Sequence, residues 1–210
     1  HFNINQADYD IVNSYEYKNC KKDIINEIES KLGYAVFIKP SNSGSSVGIT
    51  KAHNRKELED GLEEAMKYDR KILVEEAINA REIEVAVLGN DEPKAAVPGE
   101  ILPAKEFYDY EAKYQDEESK LLIPAKLSDK DTEKIKDIAI KVYEALDCAG
   151  MARVDFLVDK DTTDMYLNEV NTIPGFTSIS MYPKLWEKSG KEYSKLIDDL
   201  IELAVDRNNH

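Results

Sequence analysis

Arg153-Val-Asp155 and Glu169-Val-Asn171 flank a short polar stretch, Asp159 to Asp164, and each triplet carries polar groups at alternate positions. Side chains alternate faces along a strand, so Arg153 and Asp155 share one face, and Glu169 and Asn171 share one face of the partner. With the turn centred near Asp161, Asp155 falls almost opposite Glu169 and Arg153 almost opposite Asn171, within one residue of register. Two facing carboxylates destabilise a hairpin unless a cation lies between them, and Asp, Glu and Asn oxygens are the hard ligands magnesium prefers. A magnesium site on Asp155, Glu169 and Asn171 is one reading. A solvated polar face with an ordinary arginine–aspartate ion pair is the other. Either way Val154, Phe156 and Val158 make the opposite face apolar and suited to a core.

The second chemistry-bearing stretch runs from Lys39 to Gly48, KPSNSGSSVG. It lies between two expected strands, so it is not the strand-to-helix loop of a Walker A site, and GxxxxGK[ST] is absent. Glycines let backbone N–H groups approach phosphate oxygens, serine hydroxyls add donors, and Lys39 at a strand end is placed to reach a phosphate. The competing reading is a flexible hairpin turn.

The elements that must position these residues follow from periodicity. Ile24, Ile25, Ile28 and Leu32 predict a helix over Asn19 to Leu32, stopped by Gly33. Tyr34 to Lys39 and Val47 to Thr50 read as strands, and Asn54 with Glu57 opens a helix whose apolar face is Leu58, Leu62, Ala65 and Met66. Lys71 to Glu75, Arg81 to Leu88 and Ala95 to Leu102 are β-rich. Pro103 to Lys120 is polar and aromatic without a clean period, which predicts a long functional loop. Ser128 caps a helix with core face Ile135, Ile138, Ala139, Val142 and Leu146; the hairpin follows, then a last helix through Leu196, Ile197, Leu200, Ile201 and Ala204. Helices mixed with largely antiparallel strands make an α+β fold.

Composition narrows the function. The chain has 210 residues, 42% of them hydrophobic, enough to bury a core. A formal charge of -14 argues against a nucleic-acid or anionic-membrane surface, so an anionic ligand must be held by a few local positive groups. No apolar run approaches the ~20 residues that span a bilayer, and a cytoplasmic location is expected. Cys20 and Cys148 lie far apart without CxxC spacing, which indicates neither a disulfide framework nor zinc.

The order KPSNSGSSVG, ILVEEAINAREIEV, FYDYEAKY, GMARVDF and NEVNTIPGFTSISMYP, spanning about Tyr34 to Arg207, resembles the D-alanine–D-alanine ligases of the ATP-grasp superfamily. The resemblance implies an ATP-grasp fold in which two lobes of largely antiparallel sheet and helices grip the nucleotide, residues 1–78 forming the small lobe and 79–210 the large one. It implies ATP-dependent joining of two D-alanines through a D-alanyl phosphate, for peptidoglycan precursor synthesis. Ligases using D-lactate or D-serine as second substrate, and a non-catalytic ATP-binding module, are the alternatives. The tyrosine of EAKY favours D-alanine within that comparison.

Carried over residue by residue, the resemblance assigns ATP to Lys39, the loop Ser43, Gly44, Ser45 and Ser46, Glu75 at the adenine amino group, the backbone near Ala77 and Ile78, Glu82 at the ribose and Lys113. Asp155, Glu169 and Asn171 match ligands of two magnesium ions, with manganese as a substitute. Arg153 matches the arginine on the transferring phosphoryl group. Lys113 and Tyr114 match a loop closing on the γ-phosphate and substrate, with Ser45 also near the substrate. Gly175 would offer an N–H to the tetrahedral intermediate, and Ser180 and Met181 would hold the second D-alanine carboxylate. The family's N-terminal domain has no counterpart here, so the chain is expected to carry the magnesium–ATP machinery without joining D-alanines alone. The parent enzyme is expected to be a homodimer.

Overall fold

The computed structural model describes residues 2–43, 47–102, 120–177 and 179–209. The chain divides into two compact units. One comprises Ala7–Ile78; the other comprises Asn79–Leu102 and Lys120–His210, joined by the residues up to Gln6. Every strand ladder in both is antiparallel, the expected α+β arrangement.

In the smaller unit β1 (Tyr9–Asn13), β2 (Val36–Pro40), β3 (Thr50–Ala52) and β4 (Lys71–Glu76) form a sheet ordered β1-β4-β2-β3. Helices α1 (Ser14–Leu32) and α2 (Arg55–Ala65) bury Ile25, Ile28, Leu58 and Leu62 against Val36, Ile38, Ile72 and Val74. Each such side chain withdrawn from water contributes about 1.5–3 kcal/mol. Asn54 and Glu57 form the α2 cap one residue off a strict capping box: the Glu57 N–H donates to Asn54 Oδ1 at 3.1 Å, and the Glu57 carboxylate accepts at Oε2 from the N–H of His53, the residue before the cap, at 2.8 Å. Helix α1 begins earlier than its apolar period suggests. Asn13 caps it through the Tyr15 N–H, and a non-helical Cys20 (φ -132°, ψ 33°) interrupts the pattern just inside its first turns. The strand expected at Val47 to Thr50 instead starts at Thr50. Gly48, at φ +74°, turns the chain where an extended residue would be needed.

In the larger unit β5 (Ala80–Gly89), β6 (Lys94–Ala95), β7 (Gly99–Leu102), β8 (Lys120–Leu122), β9 (Gly150–Asp159) and β10 (Met165–Asn171) form one sheet. Its order is β10-β9-β5-β7-β8, with β6 on β5. One face carries Ile83, Val85, Val87, Ala152, Val154, Phe156 and Val158, buried by Ile135, Ala139, Val142 and Tyr143 of α3 (Asp129–Ala145). Ser128 caps α3, accepting from the Asp131 N–H at 3.1 Å. Leu146, expected in that core face, lies past the helix end and is 58% exposed. The expected boundary at residue 78 places the first residues in the small lobe, but they belong here. The Leu167 N–H of edge strand β10 donates to Asn5 O at 2.8 Å, and Gln6 bridges Leu167, because an open edge leaves backbone groups to be paired. Helices α4 (Met181–Lys188) and α5 (Tyr193–Asn208) complete the unit. Periodicity predicts no α4. Of the apolar residues expected along α5, Leu196 is buried while Ile197 and Ile201 stay exposed. Among the described residues no helix is long and apolar enough to cross a membrane.

Candidate functional site

The larger unit places its chemistry on the sheet face opposite α3. The pairing Glu169↔Asp155, Val170↔Val154 and Asn171↔Arg153 falls within the one-residue window of register expected for the hairpin. It depends on a β-bulge between Leu167 and Glu169. Met165 and Leu167 face the core, and in a regular strand of this sequence Glu169 and Asn171, two and four residues on from Leu167, would share that face; the bulge at Asn168 turns both to the polar face and Val170 to the core.

Arg153 chelates Asp155 within its own strand, Nε donating to Oδ1 at 2.8 Å and Nη2 to Oδ2 at 2.7 Å. Sequence reasoning missed the third member of this group, Glu84. It sits on β5 directly opposite Asp155, with Oε2 3.2 Å from Arg153 Nε. Asp155 and Glu84 are buried, at 8% and 6% exposure. Burial works against the Arg153 charge, but the hydrogen bonds to Asp155 and the fields of Asp155, Glu84 and Glu169 outweigh it and raise its pKa. Across three adjacent strands Glu84, Asp155 and Glu169 thus form one row of carboxylates in register. The signal for Glu84 was the alternation in Arg81-Glu-Ile-Glu-Val85, which puts Glu82 and Glu84 on one face. Glu82 accordingly lies on the Asp155 face, opposite Leu157. Among the described residues no group of three or more His, Cys, Asp or Glu side chains already converges on a metal position. The Asp155 oxygens are taken up by Arg153.

Beyond β10, the Asn171 Oδ1 accepts from the Ile173 N–H at 3.3 Å. The chain then folds so that a Cβ at Gly175 would lie 2.9 Å from Ser180 Oγ. The Ser180 hydroxyl accepts from the Thr177 N–H at 3.0 Å and does not cap α4. Met181, the first residue of α4, is buried with its sulfur beside Gly99, so its side chain is a packing group and only its backbone can face a ligand. Tyr182 ties α4 to the sheet, its buried hydroxyl donating to Val87 O at 2.9 Å.

In the smaller unit the helix-free sheet face carries Phe37 and Lys39 from β2, Lys51 from β3, and Leu73 and Glu75 from β4. Lys39 Nζ forms an ion pair with Glu75. The Lys51 ammonium stands 5.7 Å from the Phe37 ring centre. The Ala77 N–H is donated to Ala35 O at 2.9 Å, so a ligand contact from this segment must come from the Ala77 carbonyl or from Ile78. The Ser43 N–H approaches Pro40 O at 3.5 Å. Gly44, Ser45, Ser46, Lys113 and Tyr114 lie outside the described residues.

Comparison with known proteins gives this arrangement a context. Over 209 residues the chain is 81% identical to a D-alanine–D-alanine ligase of Clostridium acetobutylicum, covering 100% of this chain and 61% of that protein. A D-alanine–D-alanine ligase of Clostridium novyi is 69% identical over 208 residues, covering 99% of this chain and 61% of its own length. The D-alanine–D-alanine ligase structure from Coxiella burnetii superposes with a TM-score of 0.83 at 36% identity, over 99% of this chain and 54% of that one. A D-Ala:D-Ser ligase from Enterococcus faecalis gives 0.86 at 37%, over 96% and 57%. The chain therefore spans about three fifths of the length of the curated relatives it matches. The family model described as D-ala D-ala ligase C-terminus matches residues 1–202, and the chain belongs to that family, with an ATP-grasp fold.

Proposed function

We propose that this chain supplies the ATP- and magnesium-binding machinery of an enzyme that joins two D-alanines. The observation that carries the reading is the in-register row of Glu84, Asp155 and Glu169, with Arg153 forked onto Asp155 and beside Glu84. Carboxylates set side by side on adjacent strands favour a cation among them, and their oxygens are a donor set that suits magnesium. Asp155, Glu169 and Asn171 would hold it. When bound, magnesium neutralises phosphate charge and polarises the phosphoryl group.

The chain's own groups serve the remaining needs of phosphoryl transfer, which are positioning and charge stabilisation. Arg153 lies beside the ligands and is fixed as a cation, suited to charge developing on a transferring phosphoryl group. Lys39, ion-paired with Glu75 on the helix-free sheet face of the smaller unit, supplies a cation for phosphate, and Glu75 beside it accepts a hydrogen bond from the adenine amino group. Glu82 binds the ribose hydroxyls. The first carboxylate attacks the γ-phosphorus of ATP, breaking its bond to the bridging oxygen and releasing ADP, to give an acyl phosphate; the second amine then attacks that carbonyl, loses a proton and expels inorganic phosphate. The Ser180 N–H is donated to Thr177 O, so the backbone N–H groups of the first turn of α4, from Met181 on, together with the Ser180 hydroxyl favour the second carboxylate, and the Gly175 N–H meets the tetrahedral oxyanion. The likeness to a D-Ala:D-Ser ligase supports D-serine as a second reading of the second substrate, and the sequence Glu111-Ala-Lys-Tyr114 favours D-alanine. An enzyme of this chemistry works where ATP is abundant, in the cytoplasm.

Calorimetry with magnesium and a non-hydrolysable ATP analogue tests the proposal. Binding should require magnesium and weaken about tenfold or more on Lys39→Gln or Asp155→Asn, the loss of a charge-assisted contact. Absence of magnesium-dependent binding refutes it.

A further inference from the structure

Arg153 is asked to do two incompatible things. Without metal its Nε and Nη2 fork occupies both oxygens of Asp155, which are the oxygens a cation needs. A cation that takes Asp155 must therefore displace the guanidinium, and a guanidinium 17% exposed cannot simply turn into water for its hydrogen bonds. Losing an acceptor inside the protein leaves a charged donor unsatisfied, the expensive outcome for a hydrogen bond.

Glu84 is placed to receive it. It reaches Arg153 from the neighbouring strand, so its hold does not depend on β10 or on the Asp155 carboxylate. The Arg153 Nε lies between the two acids, 2.8 Å from Asp155 Oδ1 and 3.2 Å from Glu84 Oε2. The Nε–H is donated to Asp155, so transfer needs the guanidinium to turn that N–H toward Glu84 Oε2, which already stands within ion-pair distance. Glu84 is itself only 8% exposed at its side chain, and a carboxylate so placed requires a cation in both states. Ala86, opposite Arg153 on β5, is small and buried, so the strand gives the guanidinium room on that side without competing for it.

We propose that Glu84 is the positioning residue of the site: it takes over Arg153 when a metal ion claims Asp155, keeping the guanidinium aimed at the reacting phosphate. This rests on the magnesium–nucleotide reading above. It makes metal binding an exchange of partners around Asp155, with Glu84 setting how readily that exchange occurs.

The test follows the Arg153 Nε–H by nuclear magnetic resonance. The chain has five arginines, Arg55, Arg70, Arg81, Arg153 and Arg207, so the Nε signals are separable and Arg153 is assigned by Arg153→Lys. In the parent chain, solvent exchange of the Arg153 Nε–H should be slow both without metal and with magnesium plus a non-hydrolysable ATP analogue. In Glu84→Gln and Glu84→Leu it should be slow without metal and fast with the complex bound. Manganese affinity in the presence of the analogue should fall about tenfold, the worth of a hydrogen bond to a charged group. Glu84→Leu removes the buried charge with an apolar group of similar size and keeps the test available if the glutamine variant folds poorly. Slow exchange in the variants with the complex bound, or fast exchange without it, overturns the proposal alone. A parent chain that shows no magnesium-dependent nucleotide binding overturns the proposal together with the reading beneath it.

Discussion

Replacing Arg153 with methionine should make the stability of the larger unit depend on magnesium. The substitution keeps most of the aliphatic bulk and removes the guanidinium that pairs with both Asp155 and Glu84, acids at 8% and 6% exposure. Breaking a buried pair by removing one partner costs about 3–5 kcal/mol because the remaining charge is uncompensated, and here two acids are left. A divalent cation can occupy the vacated position in the variant without displacing a guanidinium. Stabilisation by a ligand grows as RT ln(1 + [L]/Kd), about 2.7 kcal/mol at one hundred times Kd, so magnesium should return a large part of the loss. In the parent chain the gain should be smaller, because the ion must first dislodge Arg153. Urea unfolding followed by Trp186 fluorescence reads this directly: it is the only tryptophan, 6% exposed, on α4 of the larger unit. Arg81→Met is the control. Arg81 forks onto Glu100, which is 5% exposed, through Nε at 2.7 Å and Nη2 at 2.6 Å on the opposite sheet face. It should lose a similar about 3–5 kcal/mol and show no magnesium rescue. A loss below about 1 kcal/mol for Arg153→Met, in the range of a surface pair, refutes the reasoning. So does an equal magnesium response in parent, variant and control.

Two further perturbations address the frame around the site. Gly89→Ala should destabilise by about 1–3 kcal/mol, measured by the same unfolding curve: at φ +143° the new Cβ would lie 2.8 Å from the Pro93 Cα and 3.1 Å from Glu92 O, backbone atoms that cannot swing away. A neutral outcome would mean that the β5–β6 turn yields. Asp159 opens the hairpin turn by accepting from the Thr162 N–H at 2.7 Å and the Asp161 N–H at 2.8 Å, and these donors hold its carboxyl below the usual range. A depressed carboxylate stabilises the fold above its unfolded pKa. Asp159→Ala should therefore unfold more easily at neutral pH, and its deficit should close as pH falls below about 3.9, the ordinary aspartate value, through the lower folded value. Denaturation across a pH series checks the sign, and a deficit independent of acid would contradict it.

The residues explain which parts could be read from sequence. Alternation and a polar turn brought Asp155 to within one residue of Glu169, and the bulge at Asn168, which alternation does not foresee, supplies the final register. Glu84 carried the same alternation, but its importance lies in a strand more than sixty residues away in sequence from its partner, a pairing that only the sheet supplies. Helix α4 escaped because it is short and contains Pro183. That proline sits in the first turn, where backbone N–H groups have no intrahelical partner and proline is tolerated. Leu146 fitted the apolar period of α3 and fell beyond its end. Strand β1 has one fully buried residue, Val12, and so showed little pattern. The assignments of Glu75 and Glu82 came from resemblance; as charges on strands they carry no signal of their own.

The bulge at Asn168 divides β10 into two reading frames. The half before it is phased by the core, through Met165 and Leu167, and the half after it by the site, through Glu169 and Asn171. Removing a residue elsewhere in the strand would turn one of those halves over, trading a core side chain for a site side chain. Removing Asn168 would bring Leu167 and Glu169 into one uninterrupted ladder with Phe156 and Asp155, each still on its present face. Within this strand, Asn168 is where chain length can change while the site keeps its address.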